Sequence, residues 1–408
     1  MLQFEIDGKR YDDDHPGLQA ALARIHRSKI RPLCLCVRSG IPMYVAKSNG
    51  AFLIKRMPET GPEHSAECGS YEPPPELSGL GEVMGHAIME DIEDGTTSLR
   101  LDFALNKAPG RAPPAPSESE HASIKGETSK LTIRSLLHFL WDQAHLTHWH
   151  PAMHGKRSWA TVFKYLTRGA QGKYTKGLHL PGTLYVPEPF YVDRKAEIAQ
   201  RRSALIASSD NSNRPGQKLF IVIGEIKQVE PARYGRKIIL KQATDFPFML
   251  SADLNKRLEK VYKDEVSLWN AFPQIHLVMI ATFSVGSTGV ANIEEMALML
   301  ADEQWLPFSS VDERNLLESL VASGRRFVKG LRYNLPTSRP LASVVLSDTP
   351  EKHTAVYMLP GNASESYMAA LGELLDNDRL NHVQWVAGDA MPVVPPAAAM
   401  SGAAMTTD

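Results

Sequence analysis

Cysteine is scarce in this sequence, because the 408-residue chain contains only three. An odd number of cysteines argues against the disulfide framework that secreted domains use. The first residues lack the basic start and the apolar core of a signal peptide, and the longest apolar run, residues 276–285, is about half as long as a bilayer-spanning helix. These absences predict a soluble, cytoplasmic protein with no membrane partner.

An excess of one charge is also lacking, since 45 Lys and Arg stand against 46 Asp and Glu and the formal net charge is −1. No overall positive field attracts nucleic acid, so any contact with DNA must come from a local basic patch. The hydrophobic content of 43% and the charged content of 22% are typical of globular proteins with substantial cores. At this length we expect two or three domains.

The three cysteines are clustered at Cys34, Cys36 and Cys68, and His64 precedes the last of them. The turn Ser48-Asn49-Gly50 lies between two alternating segments and predicts a β-hairpin, which would bring the two pairs of ligands together. Four soft ligands in this spacing predict a tetrahedral zinc site of the structural kind, with no open position. The alternatives are buried, reduced thiols that pack as small hydrophobic groups, and a redox role.

The order of apolar patterns predicts an α+β protein in which a small zinc-stabilised module is followed by mixed-sheet domains. We expect a zinc-stabilised, β-rich N-terminal domain at 1–106, a disordered linker at 107–130, an α+β domain with a Glu-x-Lys strand at 131–305, a C-terminal α+β domain at 306–390 and a disordered tail at 391–408. The linker is rich in Pro, Ser and charge, a composition that cannot offset its ordering entropy. Helical spacing predicts long helices at about 252–271 and 311–333.

The apolar strand predicted at 219–229 contains Glu225-Ile226-Lys227. Residues i and i+2 of a strand share a face, so Glu225 and Lys227 are expected to point the same way. Such a pair is half of a Mg²⁺-dependent nuclease signature, in which the Glu and an upstream acid hold the metal and the Lys orients water. Glu188 or Asp193 would supply that acid. The alternatives are an ion pair at the strand end and a non-catalytic ligand site.

Two other segments are basic. Residues 324–333 interleave cations with aromatic side chains, which suits nucleic-acid binding by Arg325, Arg326, Lys329 and Arg332. Residues 156–176 also combine cations with aromatic side chains that could contact a phosphate backbone: Lys156, Arg157, Lys164, Arg168, Lys173 and Lys176, with Trp159, Tyr165 and Tyr174 among them. In both segments the alternative is a solvated basic face.

Histidine is concentrated in residues 138–154, which contain His138, His145, His148, His150 and His154. Such a cluster could bind a metal or a phosphate, and the alternative is a solvated helix end and loop.

Three stretches carry a family resemblance: residues 33–68, residues 224–235 (GEIKQVEPARYG) and residues 305–348, which contain WLPF and RRFVKGLRYNLP. They are similar to an uncharacterised bacterial family, domain of unknown function 1173, that is found largely in proteobacteria and on integrative and conjugative elements. The resemblance covers most of the chain outside the linker and tail. It implies a setting of DNA transfer and mobile-element upkeep, and it supplies no catalytic residues.

A looser likeness is to CoiA-like competence proteins, which place a Cys/His zinc module ahead of a nuclease domain. This chain departs from them in its Cys-x-Cys spacing and in its lack of an obvious upstream Asp. The order of elements in the last 80 or so residues also resembles a restriction-endonuclease-like core, in which Val356 and Tyr357 occupy the places of the expected Glu and Lys. That copy would be catalytically inactive.

These patterns together predict a cytoplasmic, zinc-binding accessory protein of bacterial integrative and conjugative elements, with DNA and proteins of the element as partners. Zinc is the expected structural cofactor, and Mg²⁺ enters only with the nuclease alternative. That alternative is a Mg²⁺-dependent PD-(D/E)XK-like nuclease, and a third is a protein-interaction scaffold without catalysis. We expect Glu225 and Lys227 to be catalytic if the protein is an enzyme.

Overall fold

The structure is a computed structural model that describes residues 3–48, 50–107, 129–207, 217–233, 235–377 and 380–398. Nearly all of the linker predicted at 107–130, and residues 399–408 of the predicted tail, lie outside the described residues. In the described part of the chain, no helix is both long enough and apolar enough to cross a membrane.

Within these described ranges the chain forms eight α-helices: α1 (Leu18–Ile25), α2 (Ile133–Gln143), α3 (Trp159–Gly169), α4 (Lys195–Ala207), α5 (Ala252–Val261), α6 (Lys263–Ala271), α7 (Val311–Ala322) and α8 (Glu365–Asn377). The strands are β1 (Gln3–Ile6), β2 (Lys9–Asp12), β3 (Leu33–Cys34), β4 (Ile41–Ser48), β5 (Ala51–Arg56), β6 (Ile88–Asp91), β7 (Thr96–Leu99), β8 (Asn106–Lys107), β9 (His148–Trp149), β10 (Lys173–Thr175), β11 (Leu178–His179), β12 (Leu184–Tyr185), β13 (Gln217–Lys218), β14 (Phe220–Pro231), β15 (Arg236–Leu240), β16 (Ala243–Leu250), β17 (His276–Val285), β18 (Ala291–Ala301), β19 (Pro307–Phe308), β20 (Phe327–Lys329), β21 (Val344–Leu346), β22 (Thr354–Leu359) and β23 (Asn381–Val386).

The N-terminal part is a five-stranded sheet in the order β2-β1-β3-β4-β5. The hairpin predicted around Asn-Gly is confirmed, since β4 and β5 pair antiparallel from Met43↔Arg56 to Ser48↔Ala51. Two small cores support this sheet. One joins α1 to Val45, and the other surrounds Cys34 and Cys68. We call residues 3–71, which contain the four predicted metal ligands, the metal-binding module; the apolar cores of this part are small.

Strands β14 to β18 close into a barrel in the order β14-β15-β16-β18-β17, because β17 also pairs with the first half of β14. The pairs are antiparallel except β16–β18, which is parallel, and α5 and α6 connect β16 to β17. A closed five-stranded barrel with a parallel pair between its third and fifth strands, and a helical connection between its third and fourth, has the strand order of an OB-fold. The nuclease-like core expected around the Glu-x-Lys strand is not confirmed, since that strand belongs to this barrel.

Two further sheets pack around the barrel. The first has the order β11-β10-β7-β6, and the second has the order β23-β22-β21-β20-β9. One hydrophobic core runs from Val83 to Trp385 and includes α2, the barrel and the C-terminal strands. The boundaries predicted near 106 and 305 therefore do not separate independent cores, because α+β elements on both sides of each boundary bury their apolar faces against one another.

Three other expectations require correction. The helix predicted at 311–333 ends at Ala322, where Gly324 adopts a positive φ of 66°, and the chain then forms strand β20. The helix predicted at 252–271 is two helices that meet at Tyr262. Residues 391–398 of the predicted disordered tail contact the core, since the Ala398 amide donates to the Asp348 carbonyl at 2.6 Å.

Candidate metal centre and basic groove

The four predicted metal ligands come together at one end of the metal-binding module. Cys34 ends β3, where it pairs with Phe4 of β1 and Ile41 of β4. The β4–β5 hairpin then returns the chain to a short 3₁₀ turn, after which come His64 and Cys68. Within the described residues this is the single group of three or more Cys, His, Asp or Glu side chains whose ligand atoms lie close enough to share an ion.

The spacing of these atoms suits a tetrahedral ion. The Cys34 and Cys68 Sγ atoms are 3.7 Å apart, and His64 Nδ1 lies 3.3 Å from Cys36 Sγ and 3.7 Å from Cys68 Sγ. Metal–sulfur bonds of about 2.3 Å and metal–nitrogen bonds of about 2.0 Å give tetrahedral edges of roughly 3.6 to 3.8 Å. All three cysteines are free thiols. The cluster could hold a metal such as zinc with no position left open for a substrate.

Mutual contact of the sulfur atoms already favours ionisation at one of them. The hydrogen bond from the Cys34 thiol lowers the pKa of Cys68 to about 5, whereas the same contact and burial raise the pKa of Cys34. The amide of Ser70 also donates to Cys68 Sγ at 3.4 Å. Because thiolate is the form that binds metal, the lowered pKa of Cys68 favours binding of a cation at this cluster.

Glu225 and Lys227 do not form the pair that strand alternation predicts. A β-bulge between Ile226 and Gln228 interrupts the register, so that Glu225 is 2% exposed while Lys227 is exposed to solvent. The Glu225 carboxylate instead accepts hydrogen bonds from Lys241 Nζ at 2.5 Å and from His276 Nδ1 at 2.6 Å. Burial by itself would raise the pKa of Glu225, but these two contacts hold it below its usual range.

The acids expected to complete a Mg²⁺ site are placed differently. Glu188 is held by Arg201 at 2.7 and 2.8 Å. Asp193 lies in a 3₁₀ turn before α4. Neither belongs to a metal-sized group of ligands with Glu225 among the residues that the structure describes. The nuclease hypothesis therefore gains no geometric support at the Glu-x-Lys strand.

Lys227 instead lines a groove of about 750 Å³ between the β14–β15 hairpin and helices α5 and α6. We call this the barrel groove. Its lining includes four cations, one carboxylate and an indole: Lys227, Arg236, Lys241, Lys263, Glu259 and Trp269. Arg236 contacts Glu259 at 3.3 Å and Lys241 contacts Glu225, whereas Lys227 and Lys263 have no hydrogen-bond or ion-pair partner for their ammonium groups among the described residues.

Gly224 of β14 lies close to the Leu240 side chain of β15, an approach that is possible because residue 224 has no side chain. A Cβ on Gly224 would lie 2.6 Å from Leu240 Cδ1. The ring of His276, at the start of β17, stacks on Trp305 with ring centroids 3.8 Å apart, and this contact orients the imidazole toward Glu225. The buried Glu225 thus anchors Lys241 at the edge of the barrel groove.

The four cations expected to bind nucleic acid are engaged within the protein. Arg325 pairs with Asp348 at 2.7 Å, Lys329 pairs with the buried Glu313 at 2.9 Å, and Arg326 pairs with Glu67 at 2.8 Å. Arg332 donates to the carbonyls of Pro336 and Arg339 at 3.0 Å. These residues follow the shortened α7 or lie on and after β20, so their sequence pattern reflects internal pairing. DNA binding by this cluster stays a prediction.

The five clustered histidines do not converge on one ion. His138 is buried and its Nδ1 accepts the Tyr333 amide, and the His148 ring contacts the Tyr71 carbonyl at 3.3 Å. His150 accepts the amide of Ala152 at the start of a 3₁₀ turn. His145, at a positive φ of 52°, stacks edge-on against His148 and is exposed to a cleft.

Sequence reasoning did not identify Arg236, Lys241, Lys263 or Trp269 as site residues. They lie on β15 and on the helix pair after β16, and only the closure of the barrel brings them beside Lys227. The available signal was the basic content of residues 236–241 on a strand that pairs with the Glu-x-Lys strand across a short turn.

A family model described as a protein of unknown function (DUF1173) matches residues 4–388. No curated protein and no solved structure matches the chain. The comparisons give no support to the weaker likeness to CoiA-like competence proteins.

Proposed function

The chain belongs to this family of unknown function, DUF1173, and we propose that it is a zinc-stabilised accessory protein that binds single-stranded DNA in the barrel groove. The observation that carries the proposal is a groove of ligand-binding size with four cations against one carboxylate in a chain whose net charge is −1. The strand order of the barrel supports it by analogy of fold, because OB-folds bind oligonucleotides.

Zinc is the proposed metal because the donor set is three sulfurs and one imidazole nitrogen at tetrahedral separations. Its proposed role is structural, since four protein ligands leave no position for substrate. The metal would replace apolar core that the metal-binding module lacks.

The groove has the parts that recognition of a single strand requires. The ammonium groups of Lys227 and Lys263 would contact phosphates, and Trp269 offers an aromatic face for stacking. Cytoplasmic location belongs to the same proposal and rests on the sequence composition described above. Partners from a conjugative element and a role in DNA transfer rest on the family resemblance alone. The nuclease alternative is not carried further, because the Glu225 carboxylate already accepts hydrogen bonds from Lys241 and His276.

The test is fluorescence anisotropy of labelled oligo(dT) across a series of KCl concentrations, with a duplex of equal length for comparison. We expect tighter binding of the single strand, and DNA recovered intact after incubation with Mg²⁺. The double variant Lys227→Gln/Lys263→Gln should bind more weakly and lose about 1.4 from the slope of log K against log salt, roughly 0.7 for each phosphate contact removed.

The matched control is Lys29→Gln/Lys352→Gln, which removes the same charge from exposed positions outside the groove. It should leave the slope unchanged. No binding of either DNA at low salt would reject the proposal in favour of the interaction scaffold. If the control lost as much of this slope, the effect of the groove variant would come from overall charge and not from the groove.

A further inference from the structure

A second cavity, which we call the junction cleft, lies where the metal-binding module meets helix α3 and the β6–β7–β10–β11 sheet. Its volume is about 520 Å³, which is within the usual range for small-molecule sites. Its lining includes five cations and two carboxylates: Lys47, Lys55, Arg56, Arg168, Lys173, Glu72 and Glu90. The residues come from five separate parts of the sequence, so the fold creates this concentration of charge.

Most of these cations lack a carboxylate partner. Arg56 pairs with Glu72 at 2.5 Å, but Lys55 Nζ donates to the Gly95 carbonyl at 2.9 Å. Lys173 Nζ donates to Thr97 Oγ1 at 3.0 Å and to Gln143 Oε1 at 2.7 Å, and Lys173 is only 4% exposed. Uncharged partners satisfy the hydrogen-bonding capacity of a buried ammonium group but do not neutralise its charge. A charge left without a counter-charge in a poorly solvated site costs free energy.

The two lysines also repel each other. Burial, and next to it the charge of Lys55, lowers the pKa of Lys173 to about 8, although Glu90, Glu72 and Asp142 oppose that shift. Burial lowers the pKa of Lys55 as well. Two like charges held in one cleft, with nearby carboxylates too few or too distant to form ion pairs with them, mark a place where an anion would be stabilised.

The outer part of the cleft is aromatic. Tyr165 is 36% exposed on α3, and Tyr174 on β10 lies against His179 on β11 with ring centroids 5.0 Å apart. Arg168, one turn after Tyr165, is exposed and has no hydrogen-bond or ion-pair partner for its guanidinium among the described residues. Flat rings beside an unpaired guanidinium suit a planar base with a phosphoryl group next to it.

We propose that the junction cleft binds a mononucleotide, with its phosphoryl group between Lys55 and Lys173 and its base against the Tyr165 and Tyr174 rings. The site is separate from the barrel groove, because the two cavities share no lining residue. It therefore does not depend on the proposed DNA-binding function.

The test is isothermal titration of the full chain, in its metal-loaded form, with AMP, inorganic phosphate and adenosine. AMP should bind saturably, and phosphate and adenosine more weakly. Lys173→Met and Arg168→Gln should each weaken AMP binding about tenfold, the scale of one charge-assisted contact. Lys29→Gln, at an exposed position that lines neither cavity, is the control and should leave AMP affinity within about twofold.

Thermal unfolding of the same variants distinguishes a binding role from a structural one. Because Lys173 carries a buried charge without a carboxylate contact, Lys173→Met should keep or raise the Tm of the ligand-free protein while it weakens AMP binding. A lowered Tm with unchanged AMP affinity would overturn the proposal, as would the absence of saturable AMP binding by the wild type. AMP affinity equal to that of phosphate would overturn the part of the proposal that assigns the base. Arg168→Gln is exposed, so its result does not depend on tolerance of a core substitution.

Discussion

Asp142 has one of the most perturbed carboxyl groups of the described chain. It lies in α2 and accepts a hydrogen bond from Thr147 Oγ1 at 3.0 Å, and burial, followed by the charge of Glu72, raises its pKa to about 7. A carboxyl whose folded pKa is raised stabilises the fold fully below its unfolded pKa, and that stabilisation is lost as pH rises through the folded pKa.

Asp142→Asn keeps the acceptor oxygen and removes the titration. Between pH 5 and 7 the wild type should therefore lose about 2 kcal/mol of unfolding free energy relative to the variant, because the unfolded carboxyl is ionised in this range while the folded carboxyl keeps its proton. Urea unfolding followed by tryptophan fluorescence at the two pH values measures the difference. Asp94→Asn, on an exposed turn, is the control and should follow the wild type. If the free energies of unfolding of Asp142→Asn and wild type differed by the same amount at both pH values, the prediction would be wrong.

Glu225 shows why a two-residue pattern is weak evidence for chemistry. Alternation along a strand predicts that Glu225 and Lys227 point the same way, but Glu225 is buried and the bulge at Ile226/Gln228 changes the direction of Lys227. The partners that matter, Lys241 and His276, are separated from Glu225 by 16 and 51 residues. Local sequence carries no information about which strands will lie beside it, so those partners could be found only from the fold.

At the scale of elements, we expect the metal-binding module to depend on a bound metal more than other parts of the structure do. Its two cores contain seven and five buried residues, whereas the barrel strands share the large core that extends to the C-terminal sheet. A module with so little buried apolar surface gains much of its folding energy from a bound ion.

Removing the metal with a chelator, or replacing Cys68 by Ser, should open this module locally. Hydrogen exchange should become about tenfold faster or more at the β4–β5 amides, while β17–β18 amides keep their protection. Ser65→Ala changes the same loop without touching a ligand and should exchange as the wild type does. Equal loss of protection in β17–β18 would show instead that the metal supports the whole fold, and no change in β4–β5 would show that the cysteines are ordinary buried thiols.

Sequence patterns predict local elements here better than they predict the assembly. The β4–β5 hairpin is predicted correctly because alternation and turn residues act over a few positions. Strand β16 was missed because Asp245 and Pro247 interrupt its apolar pattern. Barrel closure depends on the pairing of β14 with β17, some 50 residues later, and no local signal encodes it.

The same division applies to the candidate sites. The metal ligands were predictable because they are rare residues at diagnostic spacing. The barrel groove and the junction cleft consist of common Lys, Arg and Tyr residues, and only the fold concentrates them. Neither cavity can be found from the sequence, whose net charge is balanced. Internally paired cations, such as Arg325 and Lys329, cannot be distinguished in a sequence from unpaired ones.

At the scale of the whole molecule, the segment after the metal ligands joins the metal-binding module to the rest of the protein. Glu67 pairs with Arg326 at 2.8 Å, the Tyr71 hydroxyl contacts the His353 ring, and the Tyr71 carbonyl contacts His148. The next residue, Glu72, lines the junction cleft and pairs with Arg56. We therefore expect a metal bound at this cluster to hold one wall of the cleft in place, whereas no metal ligand or neighbouring residue lines the barrel groove.

Loss of the metal should therefore affect the two proposed sites unequally. In the metal-free protein AMP affinity should fall about tenfold or more, because ordering of the cleft wall must then be supplied by the ligand itself. Oligo(dT) affinity should stay within about twofold, since the barrel strands belong to the large core and not to the small cores of the metal-binding module. Titration of both ligands before chelation, after chelation and after zinc is restored measures the coupling. Equal loss at both sites would show that the metal-binding module supports the entire molecule, and unchanged AMP affinity would show that the wall formed by β4 and β5 stays ordered without the ion.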